Sequence, residues 1–343
     1  MAPVTFCRAG SAKTNRFSTS IDKEVGLTQH EIKFTSGGET VRGDLLLPDG
    51  AGPFPVVVMA GGWCYVKELR QPQYAADFVR RGFAALIFDY RRMGASDGEP
   101  RQHIDPWDQI EDYKNAITFA ANDPRLDADR IGIWGISYSG GHVLIVGAID
   151  PRVKAVVSNV PVIDGYQTMW RMHGTDRFRK LKAFIAEDRA KRTETGEHGY
   201  MVMSGVPANP NDQLSVWPDN DVLAVFNELK ASQAPRHEHR NTVASIERLM
   251  EYNAAPYAPR LLNTPVMMIV ADQDDITMWD QEIAAFDAIP SARKELVVLP
   301  ATDHMTLYSD VTALDFAARA AGSWFDRNLK ELPTVANQIV KYD

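Results

Sequence analysis

The chain has 343 residues, 45% hydrophobic and 24% charged, which are the proportions of an ordinary folded protein with a sizeable core and exclude a collagen, a coiled coil or a disordered chain as a global description. Asp and Glu outnumber Lys and Arg by 45 to 37, and the net charge of −8 argues against a nucleic-acid partner, because such proteins present a basic face to phosphate. Cys7 and Cys64 have neither metal-like nor redox-like spacing, so they are read as free thiols, with no disulfide framework and no metal expected.

Residues 1–21 lack the apolar core of a secretory signal and are expected to form a flexible tail. No apolar run reaches the roughly 20 residues that a membrane helix needs, so a cytoplasmic protein with no membrane partner is expected. Residues 31–48 alternate polar and apolar side chains on either side of Gly37-Gly38, the pattern of an antiparallel hairpin. Four apolar runs follow, PVVVMA (55–60), AALIFD (84–89), RIGIW (130–134) and VKAVVSN (153–159), and read as buried parallel strands. Between them, residues 74–81 and 110–121 carry helical spacing, with Ile110, Tyr113, Ile117 and Ala120 on one face. Strand alternating with helix predicts a doubly wound, mostly parallel α/β sheet. Asp123 and Asp150 each open an Asp-Pro-Arg triplet, read as a turn before a strand.

After Pro161 this rhythm stops, and it resumes with PVMMIV (265–270), ELVVL (295–299) and a last helix near 314–328. The interruption starts with a basic helical segment, 171–192, in which Phe178, Leu181 and Ile185 form an apolar stripe. A loop-like stretch rich in Gly, Pro, Asn and Met (193–220) and a second helix (221–231) follow. A long insertion in a compact domain is expected to be a lid or binding loop, so residues 165–260 are read as a helical cap on a core of 22–164 and 261–343. Trp170, Met201, Met203 and Trp217 are its candidates for lining a pocket.

The strand at 130–134 runs directly into Gly135-Ile136-Ser137-Tyr138-Ser139-Gly140-Gly141 and then an apolar helical segment. A serine on so sharp a strand-to-helix turn is held with its hydroxyl above the sheet edge, and its neighbours must be small. The usual spacing is G-x-S-x-G; here Ser139 takes the last position, small enough for the turn. A serine hydroxyl needs a base, and the base needs an acid, in the chain order Ser, acid, His. His304 is the histidine that follows the last strand, whereas His142 lies too close on the elbow helix and His173, His198, His237 and His239 fall in the insertion, where surface or lid positions are expected. Asp272, Asp274 and Asp275 compete for the acid, with Asp164 a weaker fourth, and spacing does not choose among them. The expected oxyanion donors are the backbone N–H groups of Tyr138 and of Trp63, on the loop Ala60-Gly61-Gly62-Trp63-Cys64. Cys64 has no base beside it in sequence and is expected to be a buried apolar residue.

The stretches VVVMAGGW, KELR, GFAALIFDYRRMGASDGEPRQ, RIGIWGISYSGGHVL, DPRVKAVVSNVP, MIVADQDDIT and LPATDH resemble a broad group of bacterial and fungal α/β-hydrolases related to dienelactone hydrolases and the serine peptidase family S15. The resemblance implies the α/β-hydrolase fold over about two thirds of the chain; the cap matches poorly. It also implies Asp274 as the acid, with Asp275 the alternative. Relatives usually have His-Gly where this chain has Gly61-Gly62, a departure on the oxyanion loop. The function expected is acyl transfer to water from a small ester or lactone, without a cofactor, in a monomer or a symmetric homodimer. A carbon–carbon bond hydrolase or an acyltransferase using the same three residues, and a non-catalytic binding protein on the same scaffold, are the alternatives.

Overall fold

A computed structural model describes residues 4–6, 28–206 and 214–330. Its main sheet has nine strands: β1 (Val4–Phe6), β2 (Thr28–Ser36), β3 (Glu39–Leu47), β4 (Phe54–Ala60), β5 (Ala84–Phe88), β6 (Leu126–Ile136), β7 (Val153–Asn159), β11 (Val266–Ala271) and β12 (Lys294–Leu299). Their spatial order is β1-β12-β11-β7-β6-β4-β5-β3-β2, with β3 antiparallel to both of its neighbours and the remaining pairs parallel. The expected hairpin is present. Gly37 and Gly38 both have positive φ (56° and 85°) and join Ser36 to its partner Glu39, the geometry a two-residue hairpin turn demands. Val4–Phe6 fall within the span expected to be a tail and pair with β12 at the sheet edge, while the rest of that span lies outside the described residues.

The apolar runs are buried on both faces because helices cover both. Helix α1 (Gln71–Arg80) packs on α9 (Val311–Phe325), and α2 (Pro106–Asn122) packs on α3 (Tyr138–Ile149). On β6, Trp134 meets Tyr74 of α1, and the lack of a side chain at Gly132 leaves room for Phe325 of α9. The two Asp-Pro-Arg triplets are indeed turns, built alike. In each, the arginine grips the aspartate two residues before it through two side-chain bonds, 2.9 and 2.6 Å for Arg125 on Asp123 and the same for Arg152 on Asp150.

The segment between β7 and β11 holds helix α4 (Gly165–Thr195), which breaks at Gly174, then β8 (Tyr200–Ser204), β9 (Ser215–Trp217), α5 (Asn220–Ser232), β10 (Arg240–Thr242) and α6 (Val243–Glu251). Phe178, Leu181 and Ile185 are buried, as their spacing predicts. The stretch expected to be loop from 193 to 220 instead holds β8 and β9, which form a small sheet in the order β10-β8-β9. These strands are only three to five residues long, too short for alternation to stand out. Two short helices, α7 (Trp279–Asp287) after β11 and α8 (Thr306–Ser309) after β12, complete the edge at which the parallel strands end.

Candidate active site

β6 ends one residue before Ser137, which has φ 59° and ψ −121°, a sparsely populated backbone conformation for a residue with a side chain. Neighbouring backbone leaves no room for larger residues. A Cβ at Gly135 would stand 2.3 Å from the Ser139 carbonyl oxygen, and one at Gly141 would stand 2.3 Å from that of Val162. The Ser137 N–H donates to Asn159 O at 2.9 Å and its carbonyl accepts from Val162 N–H at 3.1 Å, so β7 and the chain beyond it brace the turn. Ser139 does more than stay small: its hydroxyl is 2.7 Å from the buried Tyr90 phenol.

His304 lies on the loop after β12, and its Nδ1 is 2.7 Å from Asp274 Oδ2, with both side chains buried. Asp274 Oδ1 accepts the backbone N–H groups of Ile276 (2.9 Å) and Thr277 (2.8 Å). Burial pushes the Asp274 carboxyl up, but His304 and the Thr277 donors outweigh it and leave the group below the ordinary carboxylate range. The competing carboxylates go elsewhere. Asp275 is exposed, Asp272 accepts from Thr302 N–H at 3.4 Å, and Asp164 caps α4 while Asn253 donates to it at 3.0 Å. Among the described residues, Asp274 is the candidate acid that His304 meets.

Ser137 and His304 line one cavity together with Trp63, Ile276, Met305 and Tyr308 of the core and Met203, Trp217, Val222 and Phe226 of the insertion. Its free volume is ≈ 20 Å³, room for about one water. Of the four expected lining residues, Met203 and Trp217 are there. Met201 is buried and does not line the cavity, and Trp170 is 46% exposed on α4. Tyr308, which sequence reasoning missed, sits four residues after His304, and its ring packs on the imidazole at 5.5 Å between centroids. His304 stands on the loop and Tyr308 on α8, so the sequence spacing carried no signal that the two would meet.

The loop after β4 presses against the serine. A Cβ on Gly62 would stand 2.8 Å from Ser137 Cβ and 3.2 Å from Oγ, so glycine is what allows this approach. Among the described residues, neither the Trp63 nor the Tyr138 backbone N–H has a hydrogen-bond acceptor, and Tyr138 opens helix α3, where first-turn N–H groups have no partner within the helix. Cys64 is buried beside Asn241 and the Arg240 carbonyl, and burial, followed by Glu238, pushes its thiol well above the usual range, so it is no thiolate nucleophile.

Of the surface or lid positions expected for the histidines of the insertion, two are buried ones within it. His173 and His237 are buried: His173 Nε2 bonds Val216 O of β9 at 2.9 Å, and His237 Nδ1 bonds Cys64 O at 3.0 Å while its ring packs on Phe226. His142 is buried between Tyr252 and Gln109 and is not part of the cavity. Among the described residues there is no His, Cys, Asp and Glu cluster fit for a metal, and no helix is long and apolar enough to cross a membrane.

A strand, elbow and helix with a serine, and a histidine–carboxylate pair on the loops after the last two strands, define an α/β hydrolase, an enzyme class that acts by hydrolysis. More narrowly, the chain belongs to the X-Pro dipeptidyl-peptidase (S15) family, whose model matches residues 37–306. It is 30% identical over 286 residues to an uncharacterized 31.7 kDa protein of the traX-finO intergenic region of Escherichia coli, covering 82% of this chain and 94% of that one. It is 29% identical over 272 residues to thiohydrolase aneE of Aspergillus aculeatus, covering 78% and 84%. Among solved structures, the alpha/beta hydrolase GrgF from Penicillium sp. sh18 superimposes with a TM-score of 0.74 at 25% identity, covering 89% of this chain and 100% of that one.

Proposed function

We propose that this protein is a serine hydrolase that cleaves small, uncharged esters or lactones. Ser137 attacks the acyl carbon, and His304 Nε2 takes the hydroxyl proton and returns it to the leaving group. Asp274 holds the imidazole by its Nδ1–H and offsets its charge. The N–H groups of Trp63 and Tyr138 receive the oxyanion. Water then attacks the acyl enzyme, with His304 as base again, and Ser137 leaves with its proton restored. The 2.7 Å bond between His304 and Asp274, in the cavity wall that also holds Ser137, is the observation that carries this reading.

The aromatic and Met lining supports an apolar acyl group, with residues 165–260 acting as the cap that supplies half of it. The name of the Aspergillus relative adds thioesters to the substrates worth testing. Transfer of the acyl group to an alcohol or amine in place of water would make the protein an acyltransferase. A cytoplasmic setting suits the unpaired Cys64.

The test is fluorophosphonate labelling with peptide mass mapping, beside hydrolysis of p-nitrophenyl acetate and butyrate and of a short acyl thioester, with added alcohol and amine acceptors. Label on Ser137 that is lost in Ser137→Ala and falls sharply in His304→Ala, with matching loss of turnover, is the expected result. A folded wild type that takes no label and turns over none of the substrates would overturn the proposal; products on the added acceptors would make it an acyltransferase.

A further inference from the structure

Four contacts tie residues 237–241 of the insertion to the loop that carries Trp63. The Trp63 indole Nε1–H donates to Asn241 Oδ1 at 3.0 Å. The Cys64 thiol lies 3.4 Å from the Arg240 carbonyl oxygen and 3.8 Å from Asn241 Oδ1. The Cys64 carbonyl in turn accepts from His237 Nδ1–H at 3.0 Å.

Hydrogen-bond capacity fixes how this latch is wired. The Asn241 Nδ2 donates to the Thr242 carbonyl at 2.9 Å, so its oxygen is the group that faces the indole, and a reversed amide would satisfy neither partner. His237 spends its Nδ1–H on a carbonyl, so its Nε2 accepts, from His239 Nδ1–H at 3.2 Å. His239 Nε2 then accepts from the Ser204 hydroxyl at 2.7 Å. One directional chain therefore runs from β8 to the Cys64 peptide, and Asn241, at 0% exposure, closes beside it. The backbone it grips is one that would not hold itself, because Cys64 has φ 51°, a left-handed value unfavourable for a residue with a Cβ.

An oxyanion donor acts only if it stands within about 0.5 Å of its productive position before the charge develops. A loop free to rotate about the Gly61-Gly62 pair would not meet that demand. We infer that Asn241 is a positioning residue: by holding the Trp63 indole it fixes the peptide whose N–H faces the reacting carbonyl oxygen, so that the insertion sets the oxyanion geometry as well as walling the pocket. The inference rests on the Ser137 reading above.

It is tested by kcat and KM for p-nitrophenyl butyrate in the wild type, Asn241→Leu, Trp63→Phe and the double variant, with active sites counted by fluorophosphonate label on Ser137. Each single variant is expected to lose about 10- to 100-fold in kcat per labelled site with KM within about 3-fold, and the double variant to stay within about 3-fold of the worse single, since both remove one bond. Losses that multiply in the double variant, or a rise in KM at unchanged kcat, overturn the inference. If Asn241→Leu yields no labelled protein, Trp63→Phe decides alone, and an unchanged kcat per labelled site overturns it. A wild type without label at Ser137 fails the underlying reading instead, before any variant is compared.

Discussion

The Tyr90 phenol and the Ser139 hydroxyl lie 2.7 Å apart, both buried beneath the turn that carries Ser137. Ser139→Gly would restore the usual elbow spacing yet leave the phenol buried without its partner. We expect a loss of about 1–3 kcal/mol in stability, read by urea unfolding, with kcat within a few-fold of wild type.

Asp274 and Asp275 are neighbours with opposite surroundings. Asp274→Asn keeps the size of the side chain but presents its amide to an imidazole that needs an acceptor at Nδ1, so kcat should fall by about 10³–10⁴. Asp275→Asn, at an exposed position, should stay within about 3-fold. Ester turnover of the two purified variants checks both.

Gly62→Ala introduces a Cβ 2.8 Å from Ser137 Cβ. The expected outcome is a native circular dichroism spectrum with kcat lowered at least about 10-fold, because the loop or the serine must shift and a misplacement of about 1 Å is costly to catalysis.

Glu282 is fully buried behind the His304–Asp274 pair. Its Oε1 accepts from the Thr277 hydroxyl at 2.8 Å, and Thr277 N–H donates to Asp274; burial, and then Asp274, push the Glu282 carboxyl well above its usual range. An amide matches in shape and charge the protonated form that burial favours, so Glu282→Gln should leave the pH–rate profile unmoved. A shift of the acid limb by half a unit or more, in kcat/KM against pH, would mean that Glu282 carries charge.

Acid should destabilise the fold. Burial holds His142 neutral down to about 3 and His103 and His237 down to about 4, against 6.5 for the free side chain. A base with a lowered folded pKa takes up its proton on unfolding, so the stability is full above about pH 6.5 and falls as the pH drops toward 4. Asp89 opposes this in the same window: burial raises its carboxyl to about 7 from 3.8, so its contribution is greatest in acid and is lost as the pH rises to 7. Asp112, Asp275 and Glu282, also raised, act with Asp89, but His173, His198 and His239 and the lowered carboxyls of Asp123, Asp150 and Asp274 act with the three histidines and leave a net loss in acid. The slope between pH 6.5 and 4 should drop by about 1.4 kcal/mol per pH unit in His142→Phe, whatever the absolute stability of that variant, as read by urea unfolding across pH.

The parallel strands were legible because each is a short run of β-branched and apolar residues, buried on both faces, between segments of helical period. The Ser137 elbow was legible because strand, small residues and helix follow one another without a gap. The acid needed the three-dimensional fold: Asp272, Asp274 and Asp275 share one short loop, and which of them turns inward depends on the Ile276 and Thr277 N–H groups that receive it. The small sheet of β8, β9 and β10 stayed hidden because strands of three to five residues are too short to show a period. Asn241 stayed hidden because a buried amide is defined by its partner, and that partner lies 178 residues away.

The space around Ser137 and His304 holds little more than one water, so an acyl chain must part the walls to be received. Met203 and Met305 are the softest of them, unbranched thioethers that change rotamer easily, whereas Trp63, Trp217 and Phe226 move as rigid plates. Preference among acyl chains is then expected to reflect the work of deformation more than a match to a ready-made mould. Since that work is done against thermal motion, the advantage of short chains over long ones should narrow on warming.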